Sequence, residues 1–241
     1  MGTDARPSKL LSMLEGFEPY FKNDLVSVYH ADSNDILPGL PDRSFDLVLT
    51  DPPYGIQYLS GRQGVYNGQR QISSCKNSHG SIAGDDYYPK STLRQMFRVA
   101  KNAVFSFCRW DNLAELPKPR SFIAWVKRNR TAGDLRHEYG RSWEGCCFWP
   151  MEDHRFICRP SDVIHHPIPS CRSHPTEKPV GLMRDILAPN AGESILDPFM
   201  GTGATLIAAA DLGRRAVGIE VEEKYCKIAA DRLSQKLLDF S

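Results

Sequence analysis

Two short stretches of this sequence hold residue types that could do chemistry together. In Thr50-Asp51-Pro52-Pro53-Tyr54-Gly55 an apolar run ends on an acid and two prolines follow it. The prolines hold the backbone extended and remove two N–H donors. What points outward is rich in acceptors: the Asp51 carboxylate and the Pro52 carbonyl, with the flat face of Tyr54 beside them. An amino group on a planar ring would find two acceptors and a stacking surface there. Asp51, Pro52, Pro53 and Tyr54 are therefore the candidate catalytic residues. A rigid turn would account for the prolines but not for the acid and the aromatic ring together.

The second stretch is ILDPFMGTGAT, Ile195 to Thr205. An apolar strand ends at Asp197, and Gly201 and Gly203 allow a tight turn at a helix N-terminus. The next strand pattern ends at Glu220, about 20 residues on, where an acid can accept hydrogen bonds from ribose hydroxyls. The glycine spacing is not G-x-G-x-x-G, and no Lys follows the loop as in a phosphate-binding motif. A ligand with an adenosine but no pyrophosphate fits this pattern.

The elements that must position these residues alternate. Strands are expected at 25–32, 44–50, 102–108, 121–127, 194–197 and 215–221, and helices at 91–100, 180–187, 204–212 and 223–238. A short amphipathic helix is expected within 1–23, with Leu10, Leu11 and Leu14 on one side. Segments 145–150 and 154–159 read as a hairpin. Strands alternating with helices mean an α/β domain on a largely parallel sheet.

Composition bounds the rest. The chain has 241 residues, 41% hydrophobic and 24% charged, which suits one folded domain. No apolar run reaches the roughly 18 residues of a membrane helix. The seven cysteines include no C-x-x-C pair, and Cys146 and Cys147 should point to opposite faces of a strand. They read as reduced thiols of a cytoplasmic protein. His165, His166, Cys171 and His174 match no common metal-ligand spacing, so no metal is expected.

The net charge of +1 is unevenly spread. Residues 1–54 carry 4 basic and 9 acidic side chains, 55–130 carry 13 and 4, and 131–241 carry 13 and 16. A basic middle suits contact with nucleic acid. Segment 55–84 has no acid. Its Arg62, Arg70 and Lys76, interleaved with Tyr58 and Tyr66, suit DNA backbone contact and stacking, as do Arg128 and Arg130 further on. Residues 55–90 are thus expected to be a mobile DNA-contacting loop, closed by Asp85 and Asp86 as turn or cap residues.

Taken together, the motifs resemble the amino-group DNA methyltransferases that use S-adenosylmethionine. Asp51–Tyr54 matches their catalytic motif, DPFMGTG (197–203) their cofactor loop, HPTEKP (174–179) the segment before it, and GIEVEEKY (218–225) the acidic cofactor strand. The catalytic motif comes first and the cofactor motif last, an order that resembles the beta group, which includes adenine-N6 and cytosine-N4 enzymes. The resemblance implies cofactor contacts from Asp32, Asp197, Phe199, Gly201, Thr202, Gly203 and Glu220, with Lys178 near the methionine end. A surface lysine at a helix start is the plainer alternative for Lys178.

The family fold is a Rossmann-like, seven-stranded, mostly parallel sheet in the order 3-2-1-4-5-7-6. Residues 25–31 would take place three, 216–220 place two, 194–197 place one and 45–50 place four. The chain order is permuted, with the N-terminal strand filling the place after the last helix. Asp32, Glu220, Asp197 and Asp51 would then share one sheet edge. Residues 128–170 would be a target-recognition insertion in a single domain spanning 1–241.

The expected activity is methyl transfer to the exocyclic amino group of a flipped base in double-stranded DNA. By family tendency the initial Asp leans to adenine N6, and cytosine N4 is the alternative. Cytosine C5 chemistry needs a nucleophilic Cys after Pro, and no Pro-Cys dipeptide occurs. A nicotinamide oxidoreductase and an inactive DNA-binding relative are the more distant alternatives. The enzyme is expected to act as a monomer or homodimer, in the manner of restriction–modification methyltransferases.

Overall fold

A computed structural model describes residue 14 and residues 16–54, 65–66, 69–70, 89–131, 139–169 and 177–239, giving the backbone alone for 65–66, 69–70, 128–131 and 236–239. The centre of the molecule is a sheet of nine strands. Its strands are β1 (Phe21–Lys22), β2 (Val26–His30), β3 (Phe45–Thr50), β6 (Ala100–Cys108), β7 (Ser121–Thr131), β8 (Arg141–Pro150), β9 (Val163–His166), β10 (Ser194–Asp197) and β11 (Arg215–Glu220). The spatial order is β1-β2-β11-β10-β3-β6-β8-β7-β9. The strand pair β4 (Val65–Tyr66) and β5 (Gln69–Arg70) stands apart from it.

Strands β2, β11, β10, β3 and β6 are parallel. Their sequences, such as Phe-Asp-Leu-Val-Leu-Thr in β3 and Ser-Ile-Leu-Asp in β10, are short and mostly apolar. Parallel strands read this way because helices cover both faces of the sheet. On one face Leu47, Leu49, Phe105, Phe107 and Ile195 pack with α3 (Val180–Leu187), α4 (Ala204–Asp211) and α5 (Glu223–Asp239). On the other, Phe45, Val48, Val104, Leu196 and Val217 pack with the single turn α1 (Ser33–Ile36) and with α2 (Lys90–Val99). Consecutive residues thus alternate between two cores, and each fully buried large side chain contributes about 1.5–3 kcal/mol. Cys146 and Cys147 divide between the same two cores, as their adjacency in a strand requires.

From β2 to β7 the order is the expected one, with β2, β11, β10 and β3 in places three, two, one and four and the permuted chain order intact. Two expectations are corrected. The sheet has nine strands rather than seven, because the two-residue β1 adds antiparallel to β2 and β9 adds parallel to β7. The segment 145–150 does not pair with 154–159: β8 lies between β6 and β7, antiparallel to both. Within 128–170, the end of β7, all of β8 and β9 belong to the main sheet. β8 is apolar on both faces at Cys146–Trp149, and only the sheet interior can bury it.

Helix α2 is amphipathic, with Leu93, Met96 and Val99 inward. Leu14 is buried against the second core, while Leu10 and Leu11 lie outside the described residues. No helix among the described residues is long and apolar enough to cross a membrane. Cys108, Cys146, Cys147, Cys158 and Cys226 are free thiols.

Candidate active site

The carboxyl ends of β2, β11, β10 and β3 form one edge, and each ends on or beside an acid. At β10, Asp197 is buried, and its Oδ1 accepts the Thr50 hydroxyl from β3 at 2.6 Å and the Phe199 N–H at 3.1 Å. Burial outweighs these bonds and pushes its pKa up to about 6. The chain then turns through Gly201 and Gly203, whose φ angles of 51° and 81° lie in the left-handed region that favours glycine. A side chain at Gly201 would meet open space, so this loop presents bare backbone on its outer side. A Cβ at Gly203 would stand 3.0 Å from that of Ala229 on α5. Thr202 is buried, and its hydroxyl and carbonyl accept from Arg232 at 3.0 and 2.9 Å. Phe199 is partly buried against the second core.

At β11, the Glu220 Oε2 accepts the Gly201 N–H at 3.0 Å and Oε1 accepts the Glu222 N–H at 2.8 Å. Burial raises its pKa, and these N–H bonds oppose the rise. A carboxylate has about four acceptor positions, so both oxygens keep capacity for a ligand's hydroxyls. At β2, Asp32 caps α1 through the Asn34 N–H at 2.8 Å. The next strand bond, from Ala31 N–H to the Glu220 carbonyl at 3.0 Å, keeps these two acids on neighbouring loops.

At β3 the arrangement differs. The Asp51 Oδ1 accepts the Tyr54 hydroxyl at 2.5 Å, and its Oδ2 accepts from the ammonium of Lys178. Pro52 is buried, Pro53 and Tyr54 are half-buried, and Asn112 donates to the Tyr54 carbonyl at 3.3 Å. Lys178, just ahead of α3, is 4% exposed. Its ammonium lies 5.0 Å from the ring centre of Phe107 and 5.7 Å from that of Tyr54. It also stands 3.2 Å from Glu144 Oε2 on β8, and Glu144 Oε1 accepts from the buried Lys127 on β7. Four charges of alternating sign therefore run from β3 to β7.

The protonation states follow. Burial raises the Asp51 pKa, with Lys178 opposing and Glu144 adding to the rise. Burial also disfavours the Glu144 carboxylate, but Lys178 and Lys127 outweigh it and hold its pKa below the usual range. For Lys178, burial is outweighed by Asp51 and Glu144, so the ammonium persists above the ordinary lysine range. Tyr54 is pushed well above its ordinary value by burial and by Asp51.

The structure thus brings Asp32, Asp197, Glu220 and Asp51 to one edge, with the Gly201–Gly203 loop between them. It places Lys178 on Asp51 rather than at the surface. Glu144, Lys127 and Thr50 were not anticipated. The signal for the two charges was their phase with buried apolar residues: Glu144 alternates with Cys146 and Phe148, and Lys127 with Trp125. Arg62, Lys76, Asp85, Asp86, Cys171 and His174 lie outside the described residues, as do the side chains of Arg70, Arg128 and Arg130. The backbones of Arg128 and Arg130 belong to β7, and Arg70 pairs with Val65. Among the described residues no group of three His, Cys, Asp or Glu side chains could hold a metal ion. His166 Nε2 sits 2.8 Å from Asp185.

Comparison with known proteins adds to this geometry. A family model described as DNA methylase, of the N6/N4 type, matches residues 124–231. The type II methyltransferase M.ScaI of Streptomyces caespitosus is 25% identical over 264 residues, covering 90% of this chain and 84% of that protein. Two solved structures share the fold. The M1.HpyAVI–SAM complex has a TM-score of 0.62 at 21% identity, covering 86% of this chain and 100% of the other. The PvuII DNA methyltransferase, titled cytosine-N4-specific, has a TM-score of 0.66 at 14% identity, covering 89% and 88%.

Proposed function

We propose that the chain is an amino DNA methyltransferase of the N6/N4 type, which its similarity to that family supports, and that it transfers a methyl group from S-adenosylmethionine to adenine N6 in double-stranded DNA. The observation that carries this reading is the Asp51–Tyr54 segment at the end of β3, beside the Asp197–Gly203 loop that Thr50 ties to it.

The residues present suit that cofactor. Asp32 and Glu220 offer acceptors to adenosine and ribose, the loop offers bare backbone at Gly201, and the edge is rich in carboxylates. Such an edge favours a sulfonium cation over a phosphate. When bound, S-adenosylmethionine supplies a methyl group already activated for transfer. Asp32, Asp197, Phe199, Gly201, Thr202, Gly203 and Glu220 would hold it.

An exocyclic amino nitrogen is a poor nucleophile, because its lone pair is delocalised into the ring. Asp51 and the Pro52 carbonyl would accept its hydrogen bonds, favour a more tetrahedral nitrogen and stabilise the positive charge it develops. Tyr54 orients Asp51 through its hydroxyl and offers its ring to a base taken out of the duplex. Asp51 serves in this way only as the carboxylate, so its raised pKa moves the acid limb of activity above the usual carboxylate range.

The initial Asp of the tetrapeptide favours adenine. Cytosine N4 remains the second reading, favoured by the fold shared with the PvuII enzyme. The test is incubation of unmethylated DNA with labelled S-adenosylmethionine, followed by nucleoside analysis. The expected product is N6-methyladenine. N4-methylcytosine would select the second reading, and an unlabelled digest would overturn both.

A further inference from the structure

The Asp51–Lys178 pair poses a problem for the reading just given. Asp51 must accept from an amino group that is becoming positive, yet its Oδ2 already accepts from an ammonium ion. An ammonium held there weakens the carboxylate as an acceptor and repels the charge developing beside it. Lys178 cannot discharge this by moving to water, since its side chain is only 3% exposed. It needs a second anion within reach.

The structure contains one. Glu144 Oε2 is shut off from solvent and has no well-aligned hydrogen bond among the described residues, yet it stands 3.2 Å from Lys178 Nζ. Its other oxygen is fixed by Lys127, so the carboxylate is anchored from β7 and its free oxygen faces the ammonium. That oxygen is paired with the ammonium by charge but not yet by a well-aligned hydrogen bond, and an ammonium ion turning onto it would complete the bond.

We propose that Glu144 is a positioning residue of the methyl-transfer site, the alternative partner that takes the Lys178 ammonium while Asp51 Oδ2 accepts the target amino group. The inference rests on the reading of Asp51 given above. Lys178 swings between two carboxylates, on β3 and on β8. Phe107 and Tyr54 line its position with ring faces that favour a cation at either carboxylate. Lys127 keeps Glu144 ionised and in place and touches nothing else in the chain of charges.

The groups facing Asp51 are Lys178, Glu144, Tyr54, Asp197 on β10 and the thiols of Cys108 and Cys146. Burial raises the Cys146 thiol. The bond between Cys108 and Cys147, together with burial, raises the Cys108 thiol, so both Cys146 and Cys108 stay neutral. Asp197 titrates in wild type and variant alike, so comparing the two isolates Glu144.

The experiment compares wild type, Glu144→Gln and Glu144→Asp in the labelled DNA assay, with S-adenosylmethionine affinity measured by calorimetry. In Glu144→Gln, kcat falls about tenfold to a hundredfold, as expected when a reacting group is misplaced, while cofactor affinity holds. The acid limb of kcat moves to lower pH, because the negative charge that raises the Asp51 pKa is gone. Glu144→Asp keeps the charge and restores both the limb and part of the rate. An unchanged kcat and limb in Glu144→Gln would overturn the proposal, as would a rate loss that Glu144→Asp shares in full. If wild type itself were inert toward DNA, the reading of function would fail and not this pairing. Carboxyl NMR titration of Asp51 would then decide, with a lower midpoint in Glu144→Gln supporting the pairing and an unmoved one overturning it. If Glu144→Gln did not fold, the same titration on Lys127→Gln, which removes the anchor of Glu144, would decide, with a shifted Asp51 midpoint supporting the pairing and an unmoved one refuting it.

Discussion

The two halves of the site edge hold their charges in opposite ways. On the side of β2, β10 and β11, the acids accept mainly from backbone N–H groups: Asn34 for Asp32, Phe199 for Asp197 (beside the Thr50 hydroxyl), Gly201 and Glu222 for Glu220. On the side of β3, β7 and β8, the charges are satisfied by one another, side chain to side chain. Backbone donors are fixed by the fold and cannot be traded, so the first half is a rigid seat. Side-chain partners can be exchanged, so the second half can change its pairing when a substrate arrives. A seat for a cofactor and a site for a reaction need these two characters respectively.

The sharpest way to break this division is Asp51→Ala. It removes one well-aimed acceptor, and methyl transfer should fall by about two to three orders of magnitude. Cofactor affinity by calorimetry should persist, because no backbone donor of the seat is touched. A joint loss of both would show the halves to be one unit. Glu220→Ala is the converse. It removes charge-assisted bonds worth about 1.5–3 kcal/mol each at most, so affinity for S-adenosylmethionine should fall at least about tenfold. Binding of unmethylated DNA, measured by fluorescence anisotropy, should be unchanged.

A smaller effect is expected from replacing Arg62, Arg70 and Lys76 together by Ala. DNA binding should weaken for all sequences alike, since phosphate contacts carry no base information. The slope of log K against log salt should flatten by up to about 0.9 per lost contact, with cofactor affinity unaffected. An unchanged slope would move the search to Arg128, Arg130 and Arg136.

The smallest effect lies at the seam, where Thr50 meets Asp197. Asp197 has a folded pKa of about 6 against an ordinary 3.8, so the folded chain binds its proton more tightly. The stability this gives is complete below pH 3.8 and is lost as pH rises through about 6. Asp197→Asn removes the titration. Its Tm relative to wild type should therefore be higher at pH 8 than at pH 4.5, by a few degrees. A constant difference across that range would show that Asp197 is not raised.

Much of this architecture could be read from the sequence, for a physical reason. The seat is local: a strand, an acid, a glycine turn and a helix lie within a few residues, and Ile195–Thr205 states them in order. The alternation of apolar strands and helices likewise showed an α/β sheet, and the family resemblance placed the four strands from β2 to β3 within it. What escaped was non-local. β1 and β9 have two and four residues and exist only because β2 and β7 offer them an edge. Glu144 and Lys127 look like surface charges until β7 and β8 are paired. Lys178 reads as a helix-start lysine until α3 seats it over Phe107.

The order of the sheet has a further consequence, for how the chain is made. Between the early strands β2 and β3 sit β11 and β10, supplied by residues 194–220. As the polypeptide leaves the ribosome, the first two long strands have no neighbour on their facing edges until about 150 further residues have been synthesised, some ten seconds or more at ordinary elongation rates. Unpaired apolar edges of this kind invite association with other nascent chains. Expression should therefore depend on chaperones more steeply than the finished fold suggests. A message truncated anywhere ahead of Glu220 should yield insoluble product rather than a partly working enzyme, because the middle of the sheet arrives last.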